Sequence, residues 1–137
     1  MSERAVEGAG ADSREIEDCQ FPAIHPPAVF AARAELARSP DPAIVARLFS
    51  LLADPTRVRL LSALIAAELC VCDLAVVTGI NRSTVSHQLR TLRDGRVVRS
   101  RREGRVIFYA LDDDHVRELL TMGIAHASEE RSGASAR

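Results

Sequence analysis

The chain has 137 residues, of which 47% are hydrophobic and 27% charged, a balance typical of one globular domain that excludes a large multidomain enzyme. Its formal net charge is -1, and that total gives no indication of a nucleic-acid partner. No apolar run approaches the ~20 residues of a membrane span, and the acidic N-terminus lacks the apolar segment of a secretory signal, so we expect a cytoplasmic protein.

The first half of the chain predicts helices. Residues 1–25 are polar and acidic, and we expect them to form a flexible arm. Prolines delimit predicted helices at 26–38, 42–53 and 55–67, and a short helix then runs from Cys72 to Thr78, where Gly79 ends it. Asn81 or Ser83 begins the next helix, which continues to Asp94.

The second half changes period. Residues 96–102 and 105–111 are β-rich, and Glu103-Gly104 between them predicts a two-residue hairpin turn. A last helix begins at one of the aspartates 112–114 and ends at about Ser128, and we expect a disordered tail over 130–137. The predicted fold class is mainly α with a β-hairpin: a winged helix-turn-helix domain over 26–129, with the order α-α-α-α-β-β-α from residue 42 onward.

Charge is unevenly distributed along these elements. Residues 1–20 carry six acids and two arginines, and residues 112–137 carry six acids and three arginines. Residues 82–105 hold eight arginines against two acids, a formal charge of +6. A near-neutral chain therefore contains one basic segment, which favours a polyanionic partner over the alternative of a solvated basic face.

The basic segment contains the elements of a DNA-binding module. The short helix, the turn at Gly79 and the following helix form a helix-turn-helix, in which the second helix enters the major groove. The side chains expected on its outward face can hydrogen-bond phosphates and base edges: Arg82, Ser83, Thr84, Ser86, His87, Gln88 and Arg90. The hairpin adds four arginines for contact with the DNA backbone or minor groove: Arg99, Arg101, Arg102 and Arg105. The ordered set predicts binding to double-stranded DNA, and a helix-turn-helix without a nucleic-acid partner is the alternative.

Two thiols stand one residue apart in Cys70-Val-Cys72. In a reducing compartment this spacing indicates metal binding or redox chemistry rather than a buried structural role. Two thiolates cannot complete a tetrahedral site for a soft divalent ion, so further ligands must come from elsewhere. Cys19, and less favourably His25, are the candidates in the arm, and Asp73 could add an oxygen.

The last helix carries a second set of metal-ligand types, Asp113, His115, His126 and Glu129. The two histidines are 11 residues apart, which is ~16 Å along a helix and too far for one ion. If two such helices pair antiparallel across a two-fold axis, each half meets its complement and two four-ligand sites form between protomers. The alternative is that Asp113 caps the helix and the others are surface residues.

Three segments together resemble the ArsR/SmtB metal-sensing repressors: Leu52-Ala-Asp-Pro-Thr-Arg-Val-Arg-Leu-Leu61, Glu68-Leu-Cys-Val-Cys-Asp-Leu74 and the run from Ser83 to Gly95. The resemblance covers about residues 43–129. It implies a homodimeric winged helix-turn-helix that represses metal-resistance or efflux genes and leaves its operator when it binds a metal effector.

The resemblance also implies site residues. Cys70 and Cys72 match the family's thiolate pair, and Cys19 matches its arm cysteine by type alone. Asp113, His115, His126 and Glu129 match the whole Asp-x-His and His-x-x-Glu pattern of its last-helix site. Ala75 stands where arsenite sensors have a further cysteine, which disfavours arsenite unless Cys19 substitutes. The two site types together are similar to those of the zinc, cadmium and lead sensors.

Two other classes of function stay open from the residues. A redox or persulfide sensor would use Cys70 and Cys72 as a dithiol on the same fold. A protein–protein adaptor would use a degenerate helix-turn-helix, although the arginine density of the hairpin argues against it. A Cys–His hydrolase is a third reading, but no oxyanion loop and no orienting third residue lie near a nucleophile in the sequence, so we expect no enzyme.

Overall fold

The computed structural model describes residues 25–136, and side chains within that range except those of residues 130–132 and 134–136. The predicted arm over 1–25, apart from His25, and Cys19 within it lie outside the described residues. Six helices and three strands follow in chain order over this range: α1 Pro26–Arg38, α2 Pro42–Leu52, α3 Pro55–Ala66, β1 Leu69–Cys70, α4 Val71–Thr78, α5 Arg82–Asp94, β2 Val98–Glu103, β3 Val106–Leu111 and α6 Asp114–Ala136.

Helix α1 belongs to a unit of its own, residues 1–42, and α2 to α6 form the second unit from residue 43. Two prolines occupy the first positions of α1, where the backbone N–H that proline lacks would have no partner within the helix. Its end is fixed at Ser39, whose backbone N–H donates to the carbonyls of Glu35 and Leu36. The predicted bounds 26–38 are confirmed.

Side-chain caps set the helix starts that matter for the second unit. Asp54 is extended and accepts a hydrogen bond from the Arg57 N–H at 3.1 Å, which begins α3. Asn81 accepts from the Thr84 N–H at 2.9 Å and begins α5, so Asn81 rather than Ser83 is the cap. Between α4 and α5, Gly79 adopts φ +75°, a left-handed conformation that glycine adopts without strain.

The strands form one antiparallel sheet in the order β1-β3-β2, in which Cys70 pairs with Phe108 and Glu103 with Val106. β1 is not predicted from the sequence, because two residues carry no detectable alternation. The hairpin turn is Gly104-Arg105, one residue later than predicted, with Gly104 at φ +64° as the first turn residue. β2 begins at Val98 rather than residue 96, since Arg96 has a positive φ of 60°.

The core is aliphatic and centres on α5. The predicted inward residues Val85, Leu89 and Leu92 are each 0% exposed. They belong to a cluster with buried residues of α3, α4, the sheet and α6, of which the largest fully buried members are Leu60, Leu61, Leu64, Leu74, Val97 and Val98. Burying this face fixes which side of α5 faces solvent.

Helix α6 has two different halves. Val116 and Leu120 are buried, and the Arg117 guanidinium donates to the Ile65 carbonyl at 2.6 Å, so the first turns are tied to α3. Residues 121–129 are all exposed. The helix continues to Ala136, beyond the end near Ser128 and the disordered tail that the sequence predicts, and no proline interrupts this segment. In the described part of the chain, no helix is long and apolar enough to cross a membrane.

The packing of α5 yields a stability prediction. Leu89→Ala removes a side chain that is 0% exposed and should lower the free energy of unfolding by about 2–5 kcal/mol. His87→Ala, on the exposed face of the same helix, should change it by less than about 0.5 kcal/mol. Denaturant unfolding at one fixed protein concentration measures both, and equal losses would contradict the described orientation of α5.

Candidate nucleic-acid interface and metal centres

The exposed face of α5 presents most of the predicted DNA-contacting residues. Arg82, Ser83, His87 and Arg90 are exposed, and Thr84 and Ser86 are half-buried. A shallow surface cavity of about 510 Å³ is lined by Arg82, Ser83, Ser86, His87 and Arg90. No acidic side chain lines this cavity, so it can accept a phosphate or a base edge.

Gln88 differs from the prediction that it points outward. It is half-buried, and its Oε1 accepts a hydrogen bond from Nε of Arg57 at 2.8 Å. Because Arg57 lies on α3, 31 positions away in the chain, this bond joins α5 to α3. Gln88 therefore helps to position α5, and its Oε1 already accepts from the protein.

Of the four hairpin arginines, Arg99 and Arg101 are bonded to other described residues, and Arg102 and Arg105 are not. Arg99 donates to the carbonyls of Leu111 and Asp112 at 2.9 and 2.7 Å, at the end of β3. Arg102 and Arg105 are exposed, and neither has a hydrogen bond or ion pair to any residue that the structure describes. Arg102 and Arg105 are therefore the wing cations most available to a polyanion.

Arg101 is held by the protein. Its guanidinium contacts Glu68 and Glu103, each at 2.7 Å, and lies over the Phe108 ring with 4.7 Å to the centroid. The hydrogen bond from Arg101 lowers the pKa of Glu68 below its ordinary value. This ion pair joins the wing to the segment that carries the thiols, two residues after Glu68.

The thiol pair lies where β1 passes into α4. Cys70 ends β1 and is half-buried, and Cys72 lies in the first turn of α4 and is exposed. Both are free thiols, and Asp73 beside them is exposed. The donor chemistry suits a soft divalent ion, and two sulfurs leave coordination positions for further ligands.

A cavity of about 490 Å³ connects the thiols with the basic surface. The charged residues that line it come from α5 and the hairpin turn. The full lining is Cys70, Val71, Cys72, Ser86, Arg90, Arg93, Arg105, Val106, Ile107 and Tyr109. Arg93 is absent from the predicted interface. The signal that could have found it is its spacing from Ser86 and Arg90, since residues at i, i+4 and i+7 share a helix face.

The last-helix residues lie at separate places on α6. Asp113 precedes the helix, and its Oδ1 accepts from the Val116 N–H at 3.0 Å, while Oδ2 is 3.5 Å from Nδ1 of His115. That backbone hydrogen bond, more than His115, lowers the pKa of Asp113. Asp113 therefore caps the helix and still faces an imidazole that is 91% exposed.

His126 and Glu129 lie three residues apart on the exposed half of the same helix. Within the described range, no three histidine, cysteine or acidic side chains come together around one point. The described part of the chain thus contains three separate donor pairs: the thiols, Asp113 with His115, and His126 with Glu129. Each pair needs ligands from elsewhere.

Comparison with known proteins places these features in one family. Residues 54–100 match the family described as "Bacterial regulatory protein, arsR family". A transcriptional repressor SmtB homolog of Synechocystis sp. is 43% identical over 117 residues, covering 85% of this chain and 89% of that protein. A cadmium resistance transcriptional regulatory protein CadC homolog of Staphylococcus aureus is 37% identical over 115 residues, covering 83% and 94%.

A solved structure agrees with the fold. The homodimeric winged helix-turn-helix DNA-binding domain of a Mycobacterium bovis protein, determined by NMR in solution, superposes with a TM-score of 0.63 at 31% identity. It covers 74% of this chain and 89% of that one. The matching proteins are transcriptional regulators, which confirms the prediction that the chain is not an enzyme. The chain therefore belongs to the ArsR/SmtB family of winged helix-turn-helix transcriptional regulators.

Proposed function

We propose that the chain is a homodimeric repressor that binds operator DNA and leaves it on binding Zn(II), Cd(II) or Pb(II), and so controls metal efflux or resistance genes in the cytoplasm. The observation that carries this proposal is the position of the metal-donor pairs. One pair lies beside the basic face of α5, and the other two are exposed at separate points of α6. The Staphylococcus aureus relative is a homolog of a cadmium resistance regulatory protein, which supports the same class of effector.

DNA contact falls to the exposed face of α5 and the hairpin. Arg82, Ser83, Thr84, Ser86, His87 and Arg90 are the proposed α5 contacts, and Arg102 and Arg105 are the proposed phosphate contacts of the wing. Arg99, Arg101 and Gln88 position these elements through their bonds to the protein. An α-helix with this polar face fits the major groove, and flanking cations fit the backbone.

The exposed half of α6 supports a homodimer. Met122 is 70% exposed and Ile124 is 42% exposed, on a helix whose other half is already packed. Antiparallel pairing of two such halves would cover these apolar side chains. It would also bring Asp113 and His115 of one protomer to His126 and Glu129 of the other, which makes two nitrogen- and oxygen-rich sites suited to zinc.

The thiol pair supplies a softer site. Cys70 and Cys72, with Cys19 as the proposed third sulfur, suit cadmium or lead better than an oxygen-rich site does. Operator release follows by linkage if the metal-bound dimer fits DNA less well than the metal-free dimer. Both kinds of site are therefore proposed as effector sites, and the experiments below separate them.

A first test concerns the wing. Arg102→Gln should weaken binding to operator and to unrelated duplex DNA alike and should lower the slope of log K against log salt by about 0.9, since one phosphate contact is lost. Fluorescence anisotropy over a salt series measures the affinities and the slope, and an unchanged slope for Arg102→Gln would remove the wing from the interface.

A second test separates the metal sites. An operator duplex is first selected by the protein from random sequence. The complex of protein and duplex is then titrated with Zn(II), Cd(II) and Pb(II) under reducing conditions. If the thiols are the regulatory site, Cys70→Ser/Cys72→Ser should abolish metal-induced release. If the α6 ligands are the regulatory site, His115→Ala/His126→Ala should abolish it. Both variants should retain the DNA affinity of the metal-free protein. If neither double variant nor the variant that combines all four changes abolishes release, these residues are not the sensor. If only oxidants release DNA from the wild type, the dithiol sensor is correct.

A third test addresses the shared sites of α6. In a Cys70→Ser/Cys72→Ser background, His115→Ala and His126→Ala homodimers should each lack an intact four-ligand zinc site. A mixed dimer of the two variants should regain one such site, because the intact halves meet across the interface. Zinc titration of tag-separated mixed dimers measures this, and a mixed dimer without the regained site would show that the ligands do not pair between protomers.

A further inference from the structure

The cavity between the thiol pair and α5 carries a charge that nothing described in it balances. Arg90 and Arg93 of α5 and Arg105 of the hairpin turn line its walls, and no aspartate or glutamate does. None of the three arginines has a hydrogen bond or an ion pair to a residue that the structure describes. Three positive charges therefore face one volume of about 490 Å³.

Two different anions can reach this volume. From the DNA side, a backbone phosphate beside α5 and the wing would contact the same guanidinium groups. From the protein side, Cys70 and Cys72 stand in the same wall. A divalent ion held by two thiolates is neutral, and every further anionic ligand, such as a third thiolate, gives the complex a net negative charge.

We infer that Arg90, Arg93 and Arg105 form an anion subsite that serves either a DNA backbone phosphate or the metal–thiolate complex at Cys70 and Cys72, so that the two compete for the same positive charge. This inference rests on the proposed function and names its regulation at the thiol site. Coupling between metal and DNA then needs no movement of a distant element, because arginines that contact DNA phosphates no longer neutralise the metal–thiolate complex.

The arrangement of the sheet keeps the competing groups together. Cys70 pairs with Phe108 in β1–β3, and Glu68 holds Arg101 of the wing. The hairpin turn that carries Arg105 is therefore fixed relative to the thiols. Arg102, on the neighbouring strand, is exposed and does not line the cavity, which makes it a matched control of the same charge.

The test measures Cd(II) affinity in the absence of DNA, by chelator competition followed through thiolate-to-cadmium charge-transfer absorption, in a His115→Ala/His126→Ala background. Arg93→Gln and Arg105→Gln should each weaken Cd(II) binding about fivefold, as expected for one partly solvated charge lost near the complex. Arg102→Gln should leave Cd(II) affinity unchanged while weakening DNA binding. Circular dichroism confirms the fold of each variant, and Arg93, exposed on a helix surface, tolerates the change to glutamine.

The outcomes are distinguishable. If the unsubstituted background shows the absorption and Arg93→Gln and Arg105→Gln bind Cd(II) as tightly as it does, the shared subsite is wrong and the metal response stands. The subsite is equally wrong if Arg102→Gln weakens Cd(II) binding as much as they do, since the effect is then one of net charge. If the background shows no thiolate absorption with Cd(II), the thiol site of the proposed function fails and the inference fails with it.

Discussion

The burial of one face of α5 is the constraint on which the rest of the structure depends. Val85, Leu89 and Leu92 are fully buried, and they pack in one cluster with residues of α3, α4, the sheet and α6. Because that face is buried, the opposite face of α5 lies in solvent, and it carries Arg82, Ser83, His87 and Arg90. The Asn81 cap and the Arg57–Gln88 bond then fix where the helix begins and how it is held against α3.

The donor pairs stand in two different relations to this helix. The thiols reach it within one chain, because β1 pairs with β3 and the wing is attached to Glu68 through Arg101. The α6 pairs do not line the cavities of the basic surface, but Arg99 of the wing donates at 2.7 Å to the carbonyl of Asp112, the residue before Asp113. A metal at the thiols would act on charge close to the DNA, whereas a metal on α6 would act on the geometry of the dimer.

Much of the fold can be predicted from the sequence because its signals are local. Prolines and Gly79 bound the helices, and the inward spacing of Val85, Leu89 and Leu92 identifies the face of α5. The errors arise where the signal is short or comes from elsewhere. β1 has two residues, Gly104 and Arg96 shift the strand ends through positive φ, and Gln88 is turned inward by an arginine 31 positions away. Arg93 shares the helix face of Ser86 and Arg90, and the sequence prediction left it out although the spacing indicates it.

If metal and DNA bind this protein in opposition, each must weaken the affinity of the other by the same factor. Cadmium affinity is measured for the free wild-type dimer and for the same dimer saturated with operator duplex, at one salt concentration. Operator should weaken cadmium binding by the same factor by which cadmium weakens operator binding. A cadmium affinity that operator leaves unchanged would contradict this opposition of metal and DNA.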